Sequence, residues 1–267
     1  MTIEETRALW ERFKTADRTR DAELNRTVYA EDVVFLGTPL RGREALMKFD
    51  ASFFAAFPDY RREILQEVVT ADRIAFTYRY SATPTGEWLG MPATGLKLDV
   101  TGASMIAVRD GHFAEVQAYG PDVMTPLRRE ANLQLVRRLY DAENDGDLEA
   151  FLGFLAEDVS IRINGRETTS SREGYRLAAE QTQAAFPDWR HETLASQCDG
   201  DVVVERWRTS GMHSGTWGGL PASGRRIEVW GTTSLQIARG LVQRIWMNMD
   251  LAGPLRQMAT PLTGAKP

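Results

Sequence analysis

The chain has 267 residues, 43% of them hydrophobic and 26% charged, with 32 basic against 37 acidic side chains and a net charge of −5. That length accommodates two compact domains, each with its own core, and the acidic balance offers no broad basic surface for nucleic acid. The single Cys198 excludes an internal disulfide or a cysteine metal cluster, and the acidic start Met1-Thr2-Ile3-Glu4-Glu5 is unlike a signal peptide. No apolar run is long enough to span a membrane, so no membrane partner and a cytoplasmic location are expected.

The spacing of Leu9, Trp10 and Phe13 predicts a helix from Ile3 to about Ala16. A short helix is predicted from about Ala22 to Tyr29, then a strand through Val33-Val34-Phe35. Gly42 to about Phe57 suits a helix stopped by Pro58. Strands follow over Arg61–Val69, Arg73–Ala82, Leu96–Arg109 and Phe113–Tyr119, separated by turns such as Asp110-Gly111. In the second of these, the alternation of Phe76, Tyr78 and Tyr80 marks a buried strand face. Around Asp122 to Arg129 lies a domain junction without a long linker, and the two domains are expected to pack together. The same order of elements then recurs from Asn132 to Leu251, and residues after Thr260 read as a frayed tail.

The recurrence is literal. Ala55-Ala56-Phe57-Pro58-Asp59 returns as Ala184-Ala185-Phe186-Pro187-Asp188, at a fixed offset (184 − 55 = 129). Gly86-Glu87-Trp88 returns as Gly215-Thr216-Trp217 with the same offset (215 − 86 = 129), and Ala30-Glu31-Asp32 returns as Ala156-Glu157-Asp158 with a slightly smaller one (156 − 30 = 126). A period this long is a duplicated domain rather than a solenoid, which predicts domains over residues 1–128 and 129–260. Helices gathered ahead of antiparallel strands indicate an α+β fold: two tandem cone-shaped α+β barrel domains, each with N-terminal helices packed in a curved, mainly antiparallel sheet around a pocket.

The Ala-Ala-Phe-Pro-Asp run, the Gly200-Asp201 turn, Gly211-Met212-His213-Ser214-Gly215, Gly219-Leu220-Pro221-Ala222-Ser223-Gly224 and a strand ending at Asp250 together resemble the SnoaL-like polyketide cyclases. These belong to the nuclear-transport-factor-2-like superfamily, and the resemblance covers almost the whole chain, once per half. It implies cofactor-independent aldol-type chemistry (cyclase, isomerase or lyase) on an aromatic or polyketide-like small molecule, with an aspartate as general acid/base and a pocket histidine assisting. Carried over, Asp250 moves the proton, His213 shares that transfer or stabilises an enolate oxygen, and Arg206 or Asn248 supplies charge or a hydrogen bond.

The second half is favoured as the active one, because Arg206 and His213 have only Thr77 and Pro84 as counterparts. A strand period of two puts Trp246, Asn248 and Asp250 on one face, read as the pocket wall. Trp217 recurs as Trp88 and is counted among the lining candidates, although recurrence favours a packing role. Arg206 has a plain alternative in pairing with Glu205 or Glu228 across strands. In the first half, Arg79, Tyr119 and Asp122 form the competing set, with His112 nearby. No metal or other cofactor is expected: His112, His191 and His213 lack ligand spacing, and no glycine-rich nucleotide loop follows a strand. The alternatives are a hydrolase or dehydratase in the same pocket, or a non-catalytic binding or assembly protein. The expected partners are a small molecule and either an internal pseudo-dimer or a homodimer.

Overall fold

The computed structural model of the chain describes residues 1–259, so the tail expected after Thr260 lies outside the described residues. The chain divides into two compact units between Leu127 and Arg128. The first contains α1 (Ile3–Thr19), α2 (Ala22–Arg26), β1 (Tyr29–Phe35), α3 (Arg43–Ala56), β2 (Arg61–Val69), β3 (Arg73–Ala82), β4 (Leu98–Arg109) and β5 (His112–Tyr119). The dividing point falls within α4 (Met124–Asn144), so the expected junction is helical from Met124 onward. The second unit continues with α5 (Leu148–Gly153), β6 (Leu155–Ile163), β7 (Arg166–Thr169), α6 (Arg172–Ala185), β8 (Arg190–Asp199), β9 (Val202–Met212), β10 (Arg226–Ala238), β11 (Leu241–Met249) and α7 (Ala252–Ala259). Among the described residues, no helix is long and apolar enough to cross a membrane.

Local chemistry explains the helix boundaries. Thr2 and Glu5 form a reciprocal capping box at the start of α1, satisfying two orphan backbone donors. Leu9, Trp10, Phe13 and Ala16 then form its buried stripe. The helix ends at Arg20 in a left-handed conformation (φ 57°), and Asp21 caps α2 by accepting the Leu24 N–H. The second unit puts Gly146 (φ 72°) at the corresponding turn and Asp147 at the corresponding cap. Both α3 and α6 stop one residue before the Phe-Pro-Asp motif, because proline disfavours helix at the residue preceding it. The aspartate ties that stop to the sheet: Asp59 Oδ1 accepts the Thr83 N–H at 2.7 Å and Asp188 Oδ1 the Met212 N–H at 2.6 Å. The motif is structural in both halves.

The first sheet has strand order β1-β5-β4-β3-β2 and the second β7-β6-β11-β10-β9-β8. All neighbours are antiparallel except β1 with β5 and β6 with β11. Register breaks recur at matching places: between Ile64 and Gln66 and between Thr193 and Ala195, then between Ala107 and Val108 and between Gln236 and Ile237. An extra residue on one strand bends it and increases twist, which curls each sheet over its helices. A second device is a missing side chain. A Cβ on Gly231 would come within 2.6 Å of the Trp207 ring and 2.7 Å of the Asn248 carbonyl oxygen. Its counterpart in the first copy is Gly102 (231 − 102 = 129), where a Cβ would meet the Tyr78 hydroxyl and the Tyr119 carbonyl oxygen at 2.6 Å. Each glycine leaves room for the ring of the residue paired with it on the neighbouring strand.

Candidate active site

Each curled sheet closes on its helices around a cavity, about 880 Å³ in the first unit and about 380 Å³ in the second, within the usual size of small-molecule sites. In the second, β9 alternates strictly: Val203, Glu205, Trp207, Thr209 and Gly211 are buried, whereas Val204, Arg206 and Met212 are exposed. Its inward residues join α4 through Tyr140 and Glu143 and β8 through His191. Glu143 Oε2 lies 3.6 Å from His191 Nδ1, and Glu205 Oε2 lies 3.9 Å from His191 Nε2. One imidazole therefore stands between two carboxyl groups, with Glu143 on the cavity wall and Glu205 behind the ring.

The imidazole is held on every side. Tyr140 stacks on it with centroids 3.7 Å apart and planes 8° from parallel. Asn144 brackets its backbone, with Oδ1 accepting the His191 N–H at 2.7 Å and Nδ2 donating to the His191 carbonyl at 2.9 Å. Thr193 donates to Glu205 Oε1 at 3.3 Å. Glu143 Oε2, His191 Nε2, Glu205 Oε2 and Thr209 Oγ1 are buried without a hydrogen-bond partner. Native interiors rarely leave such atoms orphaned, and here Glu143, His191 and Thr209 line the cavity while Glu205 lies behind the ring.

Burial sets the charge states. It pushes Glu143 up to about 7, with repulsion from Glu205 adding to it. Burial likewise pushes Glu205 up to about 7, against the hydrogen bonds from Thr193 and Tyr140. The same burial pulls His191 down to about 4, leaving a neutral ring at neutral pH. The cavity wall thus carries Glu143, raised to about 7, beside a neutral imidazole, with Glu205, also raised to about 7, behind the ring.

These shifts carry a stability signature. Each glutamate binds a proton in the folded state that the unfolded chain gives up near 4.5, so its stabilising contribution is complete below 4.5 and is lost as pH rises through 7. His191 works in the opposite sense between 4 and 6.5, because there the unfolded chain binds the extra proton. It offsets one of the two carboxyl groups in that range and neither above it. Urea unfolding is therefore expected to show Glu205→Gln gaining on wild type as pH rises from 5 to 8, by on the order of 1–3 kcal/mol. A constant difference across that range would contradict the assignment.

Of the candidate catalytic and substrate-binding residues named from the sequence, only Trp217 lines this cavity, together with His191, weighed from the sequence only as a metal ligand. Asp250 is corrected from catalyst to helix cap: it is exposed, and its Oδ1 accepts the N–H groups of Ala252 (3.0 Å) and Gly253 (2.9 Å) at the start of α7. Asp122 does the same for α4, accepting from Met124 and Thr125 at 2.8 and 3.2 Å. Replacing Asp250 by Ala is expected to cost about 0.5–2 kcal/mol of stability, read from thermal unfolding. Arg206 lies on the outer face opposite Thr232 and Ala195, because its phase in β9 is the reverse of its neighbours Glu205 and Trp207. Asn248 is also exposed; on β11 it is Ile245, Met247 and Met249 that line the cavity, so Trp246 and Asn248 belong to the other face.

His213 is fully buried but outside the lining residues. Its Nδ1 accepts the Ser223 N–H at 3.2 Å, its ring stacks on Phe186, and its backbone pairs with Arg225 and Gly224, so it pins the loop between β9 and β10. In the first half, Arg79 pairs with Asp99 on the outer sheet face and Tyr119 is 51% exposed. The first cavity instead encloses Arg62, the counterpart of His191 in the repeat (191 − 62 = 129). Arg62 has Asp17 at 3.5 Å, matching Glu143 at the smaller offset (143 − 17 = 126), and donates from Nε to the Tyr60 hydroxyl at 2.5 Å.

The geometry defines two α+β domains of the nuclear-transport-factor-2-like class, each a curved sheet closed over helices around a cavity lined in part by ionisable groups. A family model of SnoaL-like polyketide cyclases matches residues 7–129 and again 133–258, and the chain belongs to that family, in two tandem copies. Among solved structures, TsrD from Streptomyces laurentii is 30% identical, covering 48% of this chain and 96% of its own, with a TM-score of 0.44. IdmH from Streptomyces antibioticus is 27% identical over 48% of this chain and 99% of its own, also with a TM-score of 0.44. A SnoaL-like polyketide cyclase from Agrobacterium tumefaciens is 21% identical over 48% of this chain and 97% of its own, with a TM-score of 0.41. A search of curated proteins found no match.

Proposed function

We propose that the second half is a cofactor-independent acid/base enzyme acting next to the carbonyl of a small aromatic compound, as an aldol-type cyclase, isomerase or lyase. The observation that carries this reading is the Glu143–His191–Glu205 cluster, whose orphaned polar atoms face or flank an apolar cavity. Glu143 as carboxylate accepts the proton from the carbon next to the carbonyl. The electron pair of that C–H bond moves into the enolate, whose oxygen accepts a hydrogen bond from the Thr209 hydroxyl. Attack of the enolate carbon on a second carbonyl forms the C–C bond, and protonated Glu143 returns its proton to the new alkoxide. Run backwards, the same steps cleave the bond, and protonation of the enolate at another carbon isomerises it. His191 spaces the two carboxyl groups, and the Tyr140 stack and the Asn144 hydrogen bonds to its backbone hold it in place, so the proton is held at a preorganised position.

The hydrolase alternative gains nothing in the second half, where the group between the carboxyls is a neutral imidazole. The test of the enzyme reading is deuterium exchange into 2-tetralone in heavy water, followed by proton NMR. Exchange faster than buffer that disappears in the Glu143→Gln, Glu205→Gln double variant supports it. Tight binding of 2-tetralone with exchange at the buffer rate would leave the second half a binding module.

A further inference from the structure

We propose that α7 is the door of the second cavity, swinging away from β10 to admit a ligand and held shut by the side-chain amide of Gln257; this rests on that cavity being the working site of the second half. The door stands on an open sheet edge. β11 pairs with β10 only from Gly231, opposite Met249, after which the Asp250 N–H donates to the Trp230 carbonyl at 3.1 Å. Among the described residues, no strand flanks that edge of β10 from Arg226 to Val229. Gln257 takes the place of one. Its Oε1 accepts the Glu228 N–H at 2.8 Å, and its Nε2 donates to the Glu228 carbonyl at 3.0 Å. Arg225 adds a bond from its guanidinium to the Gln257 carbonyl at 3.2 Å.

The same helix closes the cavity. Leu251 and Pro254 line it, and Met258 packs in one cluster with Phe186, Trp207, Ile227 and Val229. Leu251 is also 42% exposed, so it stands where the cavity meets solvent. The counterparts in the first half, Val123 and Pro126 (251 − 123 = 128; 254 − 126 = 128), do not line the first cavity, so the door belongs to the second copy. Its hinge is the turn at Asp250 and Leu251 between β11 and α7, where Asp250 caps the helix. A Cβ on Gly253 would collide with that carboxylate, so glycine is what lets the turn close. The latch is weak by construction, because Glu228 is exposed and a neutral hydrogen bond that competes with water contributes little net stability.

The test is thiol alkylation, which needs no ligand. In a Cys198→Ser background, Val229→Cys puts a thiol on the cavity side of β10, and Val203→Cys puts one in the main core of the same unit. Iodoacetamide reacts with a buried thiol only when it is uncovered, so a slow reaction reads the fraction of open molecules. Gln257→Ala removes both amide bonds and is expected to speed the Val229→Cys reaction roughly tenfold, while Val203→Cys changes by less than about twofold. Asp250→Ala, which uncaps α7 and keeps the latch, is expected to act in the same direction. An unchanged Val229→Cys rate in Gln257→Ala would overturn the proposal. So would equal acceleration at Val203→Cys, the mark of general unfolding. Should Gln257→Ala prove unfolded by circular dichroism, Asp250→Ala with the same two thiols decides it. A chain that passes the alkylation and fails the 2-tetralone exchange has the door without that chemistry, and the reverse pair of results removes the door alone.

Discussion

Replacing Glu143 by Gln is expected to slow proton transfer by ~10²–10⁴-fold, the usual weight of a placed general base. The change is nearly isosteric and removes only the titrating proton. Burial is what raises Glu143 to about 7, so the neutral amide is easier to keep folded than the carboxylate above that pH. A loss of rate therefore cannot be ascribed to unfolding, and a melting temperature at pH 8 equal to or above wild type is the accompanying result. Ligand affinity should change far less than the rate, because the group acts on the transferring proton. A rate within threefold of wild type would remove Glu143 from the mechanism.

The second large effect falls on the cavity wall. Trp207 is 3% exposed, lies on the concave face beside His191, and donates its indole N–H to Thr233 Oγ at 2.7 Å between two buried groups. Trp207→Ala removes the ring, leaves the Thr233 hydroxyl without that donor and opens a void that the rigid sheet cannot close. The expected cost is about 3–5 kcal/mol, read from the denaturant midpoint at constant slope. A loss below 1 kcal/mol would mean that the wall collapses around the void. Trp207→Phe, which keeps a ring but not the donor, should recover most of the packing and separate the two contributions.

Much of the fold was legible because the signals were local. The strands Arg61–Val69 and Arg73–Ala82 follow from alternation and turn residues, and the helix stop at Phe57 follows from Pro58. The site was less legible, for a reason of phase. Taking Trp246, Asn248 and Asp250 as a wall chooses the wrong face of β11, and Arg206 stands one residue out of step with the buried face of β9. A strand shows its period in the sequence, whereas which face turns inward depends on the curl imposed by the register breaks. Phe76, Tyr78 and Tyr80 alternate as an inward face, and adding 129 to each gives Glu205, Trp207 and Thr209. The duplication therefore contained the correct phase and named the buried acid. Glu143 had a weaker signal, an acid in line with the buried stripe of Leu135, Val136, Leu139 and Ala142. Nothing local marked His191 as its partner, since two helices and two strands intervene in the chain and only the closed sheet brings them together. Asp250 misled because an acid at a strand end is equally the cap of whatever helix comes next.

The hollows at Gly102 and Gly231 bear on how a doubled chain can change. In each copy one residue on the neighbouring strand, Tyr78 or Trp207, furnishes the floor, and it rests where a single carbon is missing. The dimensions of a compartment can then shift by exchanging one floor residue, with the main chain left in place. Two copies let that exchange proceed in one compartment while the other keeps its contents, so a trial that ruins one floor need not silence the molecule.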